Sequence, residues 1–426
     1  MVNVRYYSLR LQAEPAKVVI RPFHLAPEPT DIGQTHGSRS RRIVNAVLEM
    51  SDDACKRELE LVDADFNSRH WQTKMVYLRR YQHIAQNLQL DRELSEERKE
   101  LIGAYFCHEY SYAAAAIMNP SIVPHVDQSG LRGGDRRFIL SVRAVGEGHI
   151  SSIGFREGIL TADGELTLWP QPAFSIAAET DEPAPTGDVV AQRSSSAPIS
   201  GTVIFPFTHA QRNGMEDLRL VHFDEGGGKF TYYGTYTAFS GAGIASELLV
   251  TEDFNTFRFE PLRGDAASAK GMALFPRRVN GAYAMIGRQD HESLFFLQSD
   301  DIRYWQGGDL VLRPKYSWEL IQTGNCGSPV ELDEGWLLIT HGVGAMRKYS
   351  IGAVLLDKRD PRKVLGRLPH PFLSPSTETR EGYVPNVVYT CGVMRHGDNL
   401  FVPFAIADSS VSFAMVDLKS LLSEMV

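Results

Sequence analysis

The sequence lacks most of the features that would settle an assignment at a glance. Its four cysteines, Cys55, Cys107, Cys326 and Cys391, lie far apart, with no Cys-Xaa-Xaa-Cys pair and no Cys/His spacing. That argues against a structural zinc and against a disulfide framework, and fits a protein of the reducing cytoplasm. Long runs of Lys or Arg are missing, and a net charge of -8 with a pI near 5.9 speaks against a nucleic-acid surface. No stretch of about 18 apolar residues is present to span a bilayer. The opening residues, Met1-Val2-Asn3-Val4-Arg5-Tyr6-Tyr7, carry neither an apolar core nor a small-residue cleavage site, so no secretory signal is expected. Gly146, Gly148 and the run Gly226-Gly227-Gly228 have no strand–helix context for a nucleotide loop. Neither a Ser-His-Asp order nor a metal-ligand cluster stands out.

What is present falls into two grammars. At 426 residues and 43% hydrophobic, the chain can bury one large core or two moderate ones. Lys17-Val18-Val19-Ile20 reads as a strand, followed by a loop through Pro27, Pro29 and Gly33. From Ser40 to about Ala104 the character is helical. Ser51 and Ser95 stand as N-caps before charged amphipathic runs, and Leu101-Ile102 with Tyr105-Phe106 forms an apolar face. Arg69-His70 and Arg79-Arg80 read as a solvated or partner-contacting face. Beyond Ala113-Ala114-Ala115-Ala116 the pattern is short β runs punctuated by Gly and Asp, with a low-complexity stretch from Thr180 to Ser200 expected to be a surface loop. An acidic turn before an apolar or aromatic residue recurs at Asp253, Asp301, Asp357 and Asp417. Its spacing, on the order of 50 residues, is that of propeller blades. Five such blocks fit between Asn119 and the C-terminus. The expectation is a mainly β protein: a helical N-terminal extension over 1–112, then a five-bladed β-propeller over 113–426. The extension is expected to make a homo-oligomer contact. Trp305, Trp318 and Trp336 are read as blade core.

One stretch invites chemistry. Glu216-Asp217-Leu218-Arg219 lies between a glycine turn and the strand-like Leu220-Val221-His222-Phe223. Neighbours on a strand face opposite ways, so one acid is expected to line a site and the other to anchor the backbone or pair with Arg219. Alone, such a pair is an ordinary solvated turn.

Its company changes that reading. Met118-Asn119-Pro120-Ser121, Ser141-Val142-Arg143-Ala144-Val145-Gly146, Glu216-Asp217-Leu218-Arg219, Ala273-Leu274-Phe275-Pro276-Arg277-Arg278, Thr340-His341-Gly342-Val343-Gly344, Tyr349-Ser350-Ile351-Gly352 and Val384-Pro385-Asn386 follow one another in the chain. In that order they resemble glycoside hydrolase family 130, the mannoside phosphorylases and related β-mannosidases, which are five-bladed propellers. The helical extension is similar to that of one subgroup. The family's Glu-Asp-Pro-Arg has Leu218 for proline here, which frees φ and restores an N–H.

The resemblance implies Asp217 as catalytic acid, acting on the glycosidic oxygen through a mannose hydroxyl. It implies Asn119, Ser121, Arg143 and Asp408 as holders of the non-reducing-end sugar and His341 as a phosphate ligand. Lys270 and Arg288, beside matching motifs, complete the phosphate clamp. The implied reaction is inverting phosphorolysis of β-mannosides, β-1,2-linked in the subgroup with the extension, releasing α-mannose 1-phosphate. Phosphate is the co-substrate, and no metal or organic cofactor takes part. Physical chemistry sharpens the choice: inverting hydrolysis needs a carboxylate base for water, whereas phosphate needs cations to hold it. Asp290 and Glu292 are the candidate bases of an inverting β-mannosidase. A catalytically silent carbohydrate-binding propeller is the third reading.

Overall fold

The computed structural model describes the chain except residues 27–37, 181–183, 185, 195–196 and 378–379. The loop through Pro27, Pro29 and Gly33 thus lies outside the described residues. The chain divides into two compact units, one of residues 16–111 with 173–176, the other of 1–15, 112–172 and 177–426.

In the smaller unit the helical grammar becomes four helices, Arg39–Glu49, Asp52–Phe66, Thr73–Leu88 and Glu96–Tyr105. The Ser51 and Ser95 hydroxyls accept the backbone N–H groups of Ala54 and Arg98 at 3.2 and 3.4 Å, as their positions foretell. Val44, Val47, Cys55, Tyr81, Ile84, Leu101, Ile102 and Phe106 form the core. Gly103 lets two helices touch, since a Cβ there would stand 1.9 Å from the Tyr77 carbonyl oxygen. Buried Arg98 donates to the carbonyls of Val47 and Met50 and to Asp52 at 2.5, 3.0 and 2.7 Å, satisfying the end of one helix and the start of the next. Arg69 and His70 both hold Glu109, at 2.7 and 2.6 Å.

The larger unit is mainly β, built of antiparallel meanders in chain order. Ala116–Pro124, Arg136–Val145 and Ser151–Leu160 pair in sequence, then Gly214–Gly226 through Thr256–Pro261, the two runs meeting at a parallel bridge from Gly214 to Ser151. A four-stranded sheet begins at Ala273 and a five-stranded one at Gln322. The last sheet contains Asn399–Ile406 and Ser410–Asp417 and takes Val4–Tyr6 as its edge strand. Residues 1–15, placed with the helices on sequence grounds, therefore belong to the β unit.

The low-complexity stretch also departs from its reading as a loop. Val189–Gln192 pairs with Thr256–Pro261 and buries Val189 and Ala191 beside Phe257 and Phe259. The recurring acids are turn caps: Asp253, Asp301, Asp357 and Asp417 each accept a backbone N–H through Oδ1, at 2.8, 2.9, 2.9 and 2.7 Å. Trp305 and Trp336 are fully buried. Trp318 donates to the Pro369 carbonyl at 3.1 Å and packs where Gly342 and Gly352 leave room.

Candidate active site

Both strands that carry the leading candidates are irregular where those residues sit. The pairing of Ala116–Pro124 shifts between Met118 and Ser121, and that of Gly214–Gly226 shifts between Glu216 and Arg219. Within these bulges Asn119 and Asp217 adopt left-handed φ of +48° and +56°, and Asp408 joins them at +47° in a turn. Asn and Asp tolerate that region better than most residues, and strain of this kind gathers at functional sites. The bulge overturns the opposite-faces expectation for Glu216 and Asp217. Arg143 reaches both, Nη2 to Glu216 at 2.7 Å and Nη1 to Asp217 at 3.5 Å. Its Nε donates to the Ser151 hydroxyl at 2.8 Å, so the whole guanidinium fork is fixed.

Asp217 is the hub. The Asn119 amide donates to its Oδ1 at 2.6 Å. Arg219 does not pair with either acid's side chain. It donates instead to the Asp217 carbonyl at 2.9 Å and to the Tyr389 hydroxyl at 2.7 Å, bracing the left-handed turn from behind. Leu218, where the family has proline, is buried, and Gly234 makes room for it. Burial pushes the Asp217 carboxyl up, but Arg143, Arg219, the Asn119 amide and Lys270 together outweigh it and hold the group below the ordinary carboxylate value. Glu216 bridges two cations, since its other oxygen meets Lys270 Nζ at 3.3 Å. Asp408 goes the other way. Burial and then the charge on Asp217 lift it to about 6, against the pull of Arg143 and Arg347.

His341 is buried, its ring edge-on to Tyr389 at 4.9 Å and stacked on Tyr349 at 5.9 Å. Burial, then Arg288 and Arg219, push its imidazole down to about 3. As a member of a phosphate clamp it is thus a neutral donor and not the cation that the sequence reading counted. Arg288 keeps its Nε buried with no hydrogen-bond partner, as do Arg219 Nε and Asn119 Oδ1. Such atoms are costly unless something else meets them.

Ser121 differs from its expected role. It is wholly buried, and its hydroxyl accepts the Leu220 N–H at 3.0 Å, fixing the strand just after Asp217. Ser121 supports the site from below. Asp290 is spent on its own turn, accepting the N–H groups of Glu292 and Ser293 at 2.9 and 2.6 Å, and Glu292 is exposed. Arg277 is bound to Glu331 at 2.7 Å and lies over Trp336. The sequence places Arg347 among the basic residues beside the motifs without choosing it for the clamp, and it assigns no role to Tyr349, Tyr389 or Gln289. A usable signal existed for the first: Gly146-Glu147-Gly148-His149 and Gly344-Ala345-Met346-Arg347 are matching loops, each following a strand that carries a candidate residue, Arg143 or His341.

Comparison with known proteins identifies relatives of this chain. The sequence profile described as beta-1,4-mannooligosaccharide phosphorylase, glycoside hydrolase family 130, matches residues 197–425, beyond Asn119 and Arg143. A 1,2-beta-oligomannan phosphorylase from Thermoanaerobacter sp. (strain X514) is 32% identical over 225 residues, covering 50% of this chain and 72% of the relative. A beta-1,2-mannobiose phosphorylase from Listeria innocua serovar 6a is 30% identical over 234 residues, 52% of this chain and 63% of that one. A solved beta-1,2-mannobiose phosphorylase from Listeria innocua, in complex with beta-1,2-mannobiose, superposes with a TM-score of 0.52 at 20% identity, over 73% of this chain and 92% of that chain. At that identity the superposition speaks for the fold and the sequence matches for the family: the chain belongs to glycoside hydrolase family 130.

Proposed function

We propose that the protein phosphorolyses β-mannosides with inversion, releasing α-mannose 1-phosphate from the non-reducing end. The observation that carries this reading is a surplus of hydrogen-bond donors at the site. Among the described residues of the site, Glu216 is shared by Arg143 and Lys270, and Asp290 caps its own turn, while Arg288 Nε stays unpartnered. A water nucleophile needs a carboxylate to activate it, and an anion needs only to be held in line. Asn119 Oδ1 is a ready acceptor for a sugar hydroxyl, with Arg143 and Asp408 beside it; Lys270, Arg288 and His341 hold phosphate. A phosphate oxygen attacks C1, the C1–O bond breaks, and the Asp217 proton passes to the leaving oxygen through a mannose hydroxyl. Phosphate near Lys270 and Arg219 offsets two of the charges that keep Asp217 ionised, so co-substrate binding raises the acid toward its working form.

The relatives named above favour a β-1,2 linkage. The four consecutive strand groups and the last sheet closed by Val4–Tyr6 are read as five blades of a propeller. The cysteines are all free, in keeping with a cytoplasmic protein, and the helical unit is read as an oligomer contact, which a monomeric mass in solution would overturn. No helix of the described residues is long and apolar enough to cross a membrane. The deciding assay supplies β-1,2-mannobiose, β-1,2-mannotriose and β-1,4-mannobiose with and without phosphate. Strictly phosphate-dependent mannose 1-phosphate from the β-1,2 substrates is expected. Free mannose released equally without phosphate would make the enzyme a hydrolase.

A further inference from the structure

Gln289, the residue after Arg288, is an amide whose donor and acceptor both lack partners: Nε2 and Oε1 are buried and unpaired. Buried polar atoms left in that state are rare and destabilising, and two on one side chain point to a ligand that supplies the missing acceptor and donor. The chain is shaped to permit it. A Cβ on Gly287 would stand 2.4 Å from Gln289 Nε2, so glycine is what lets the amide fold back over the strand end. The segment is also held rigidly. Asp290 caps the turn that follows, His291 N–H donates to the Arg288 carbonyl at 3.2 Å, and Thr323 N–H donates to the Glu292 carbonyl at 2.9 Å. Asn325 Nδ2 donates to the carbonyls of Gly271 and, at 3.2 Å, Ile286, tying the Lys270 and Arg288 segments to the strand on which the His341 ring rests, against Gly324.

We infer that Gln289 selects hydrogenphosphate, its Oε1 accepting from the protonated phosphate oxygen while Nε2 donates to a neighbouring one. This inference rests on the phosphorolysis reading and adds to it a basis for ion choice. Lysine, arginine and a neutral imidazole N–H only donate, and tetrahedral oxyanions of similar size satisfy them equally. An acceptor is different. Hydrogenphosphate has a P–OH to offer it, whereas sulfate at neutral pH presents only lone pairs, leaving Oε1 unpaired and facing like charge. A single mismatch of that kind is worth roughly tenfold in affinity. An amide does this without the repulsion that a carboxylate would exert on a dianion.

The test measures phosphate and sulfate binding by calorimetry on wild type, Gln289→Met and Gln289→Glu, together with phosphorolysis kinetics. Wild type is expected to bind phosphate about tenfold or more tighter than sulfate. Gln289→Met should lose about tenfold in phosphate affinity and in phosphate KM, with sulfate affinity and mannoside KM within about twofold of wild type. Gln289→Glu, which keeps an acceptor and the shape, should weaken both ions yet keep the preference for phosphate. Equal loss of both ions in Gln289→Met, a raised mannoside KM, or no change overturns the inference. Wild type that prefers phosphate but turns over without it would leave this inference standing and remove phosphorolysis. Phosphate-dependent turnover with no preference over sulfate would do the reverse.

Discussion

Two loops of the β unit share a backbone and differ in their electrical surroundings. In Gly146–His149 and Gly344–Arg347 the leading glycine has φ of -102° in both, the third residue is left-handed at +67° and +57°, and the fourth at +60° and +54°. The strands before them place Arg143 opposite Ile153 and His341 opposite Ile351. From that matched position Arg143 meets Glu216 and Asp217, which outweigh the cost of burial and keep it firmly charged. His341 is kept neutral by burial first, and then by Arg288 and Arg219. The scaffold repeats; the residue type and its surroundings differ. On the proposed reading, one copy serves the hydroxyls of a sugar and the proton of an acid, the other an incoming anion.

The comparison breaks most completely at Asp217. Asp217→Asn keeps an oxygen for the Asn119 amide but has no proton to give, so kcat should fall by roughly 10³-fold or more while substrate KM moves only a few-fold. Steady-state kinetics on β-1,2-mannobiose with phosphate decides it, and a variant retaining a tenth of the activity would remove Asp217 from the role.

Next comes Arg143→Met, which strips the cation from the acidic side alone. Glu216 and Asp217 then lie close with Lys270 as the remaining direct ion-pair partner, and stability should drop by about 3 kcal/mol, read from urea unfolding. The equivalent change on the other side, His341→Met, removes no charge and should cost less. Equal losses would mean that the two surroundings do not differ as described.

Asp408 gives a smaller effect with a definite sign. Its folded pKa of about 6 lies above the ordinary 3.8, so the folded state binds the proton more tightly than the unfolded chain. The stability it contributes is present below about pH 4 and is lost as pH rises through about 6. Asp408→Asn should therefore match wild type near pH 4 and exceed it at pH 7 by about 2 kcal/mol, while mannoside turnover falls. Thermal unfolding across that range is the measurement, and a parallel offset at both pH values would contradict the linkage.

How much of this could be read beforehand follows from what kind of signal each feature leaves. Helices capped by Ser51 and Ser95 and the acidic turns announce themselves in a few adjacent residues, and so does the motif around Asp217. The strand Val4–Tyr6 does not: three residues carry no periodicity, and its partner Ser410–Asp417 lies at the far end of the chain. Alternation failed at Glu216-Asp217 because it assumes regular strand, and a bulge is a property of the pairing with Lys229–Phe239. The neutrality of His341 was equally hidden, since it depends on burial and then on Arg288 and Arg219 arriving from elsewhere in the chain. What the sequence did carry was the choice of Asn and Asp at positions 119, 217 and 408, residue types that accept a left-handed backbone.

The smallest effect tests the shared backbone itself. Gly148 and Met346 hold the same place in the two loops, and a Cβ at Gly148 would meet nothing within 4 Å. Gly148→Ala should therefore cost only the left-handed penalty, about 1 kcal/mol, with no packing contribution. Met346 already bears that penalty on a side chain that is 90% exposed, so Met346→Gly relieves it at the expense of a more flexible unfolded chain. Stability should shift by less than about 1 kcal/mol, in the opposite direction to Gly148→Ala. Changes of the same sign would show that Met346 is kept for a contact and not merely tolerated, which would break the equivalence of the loops at the one position where their chemistry is otherwise silent.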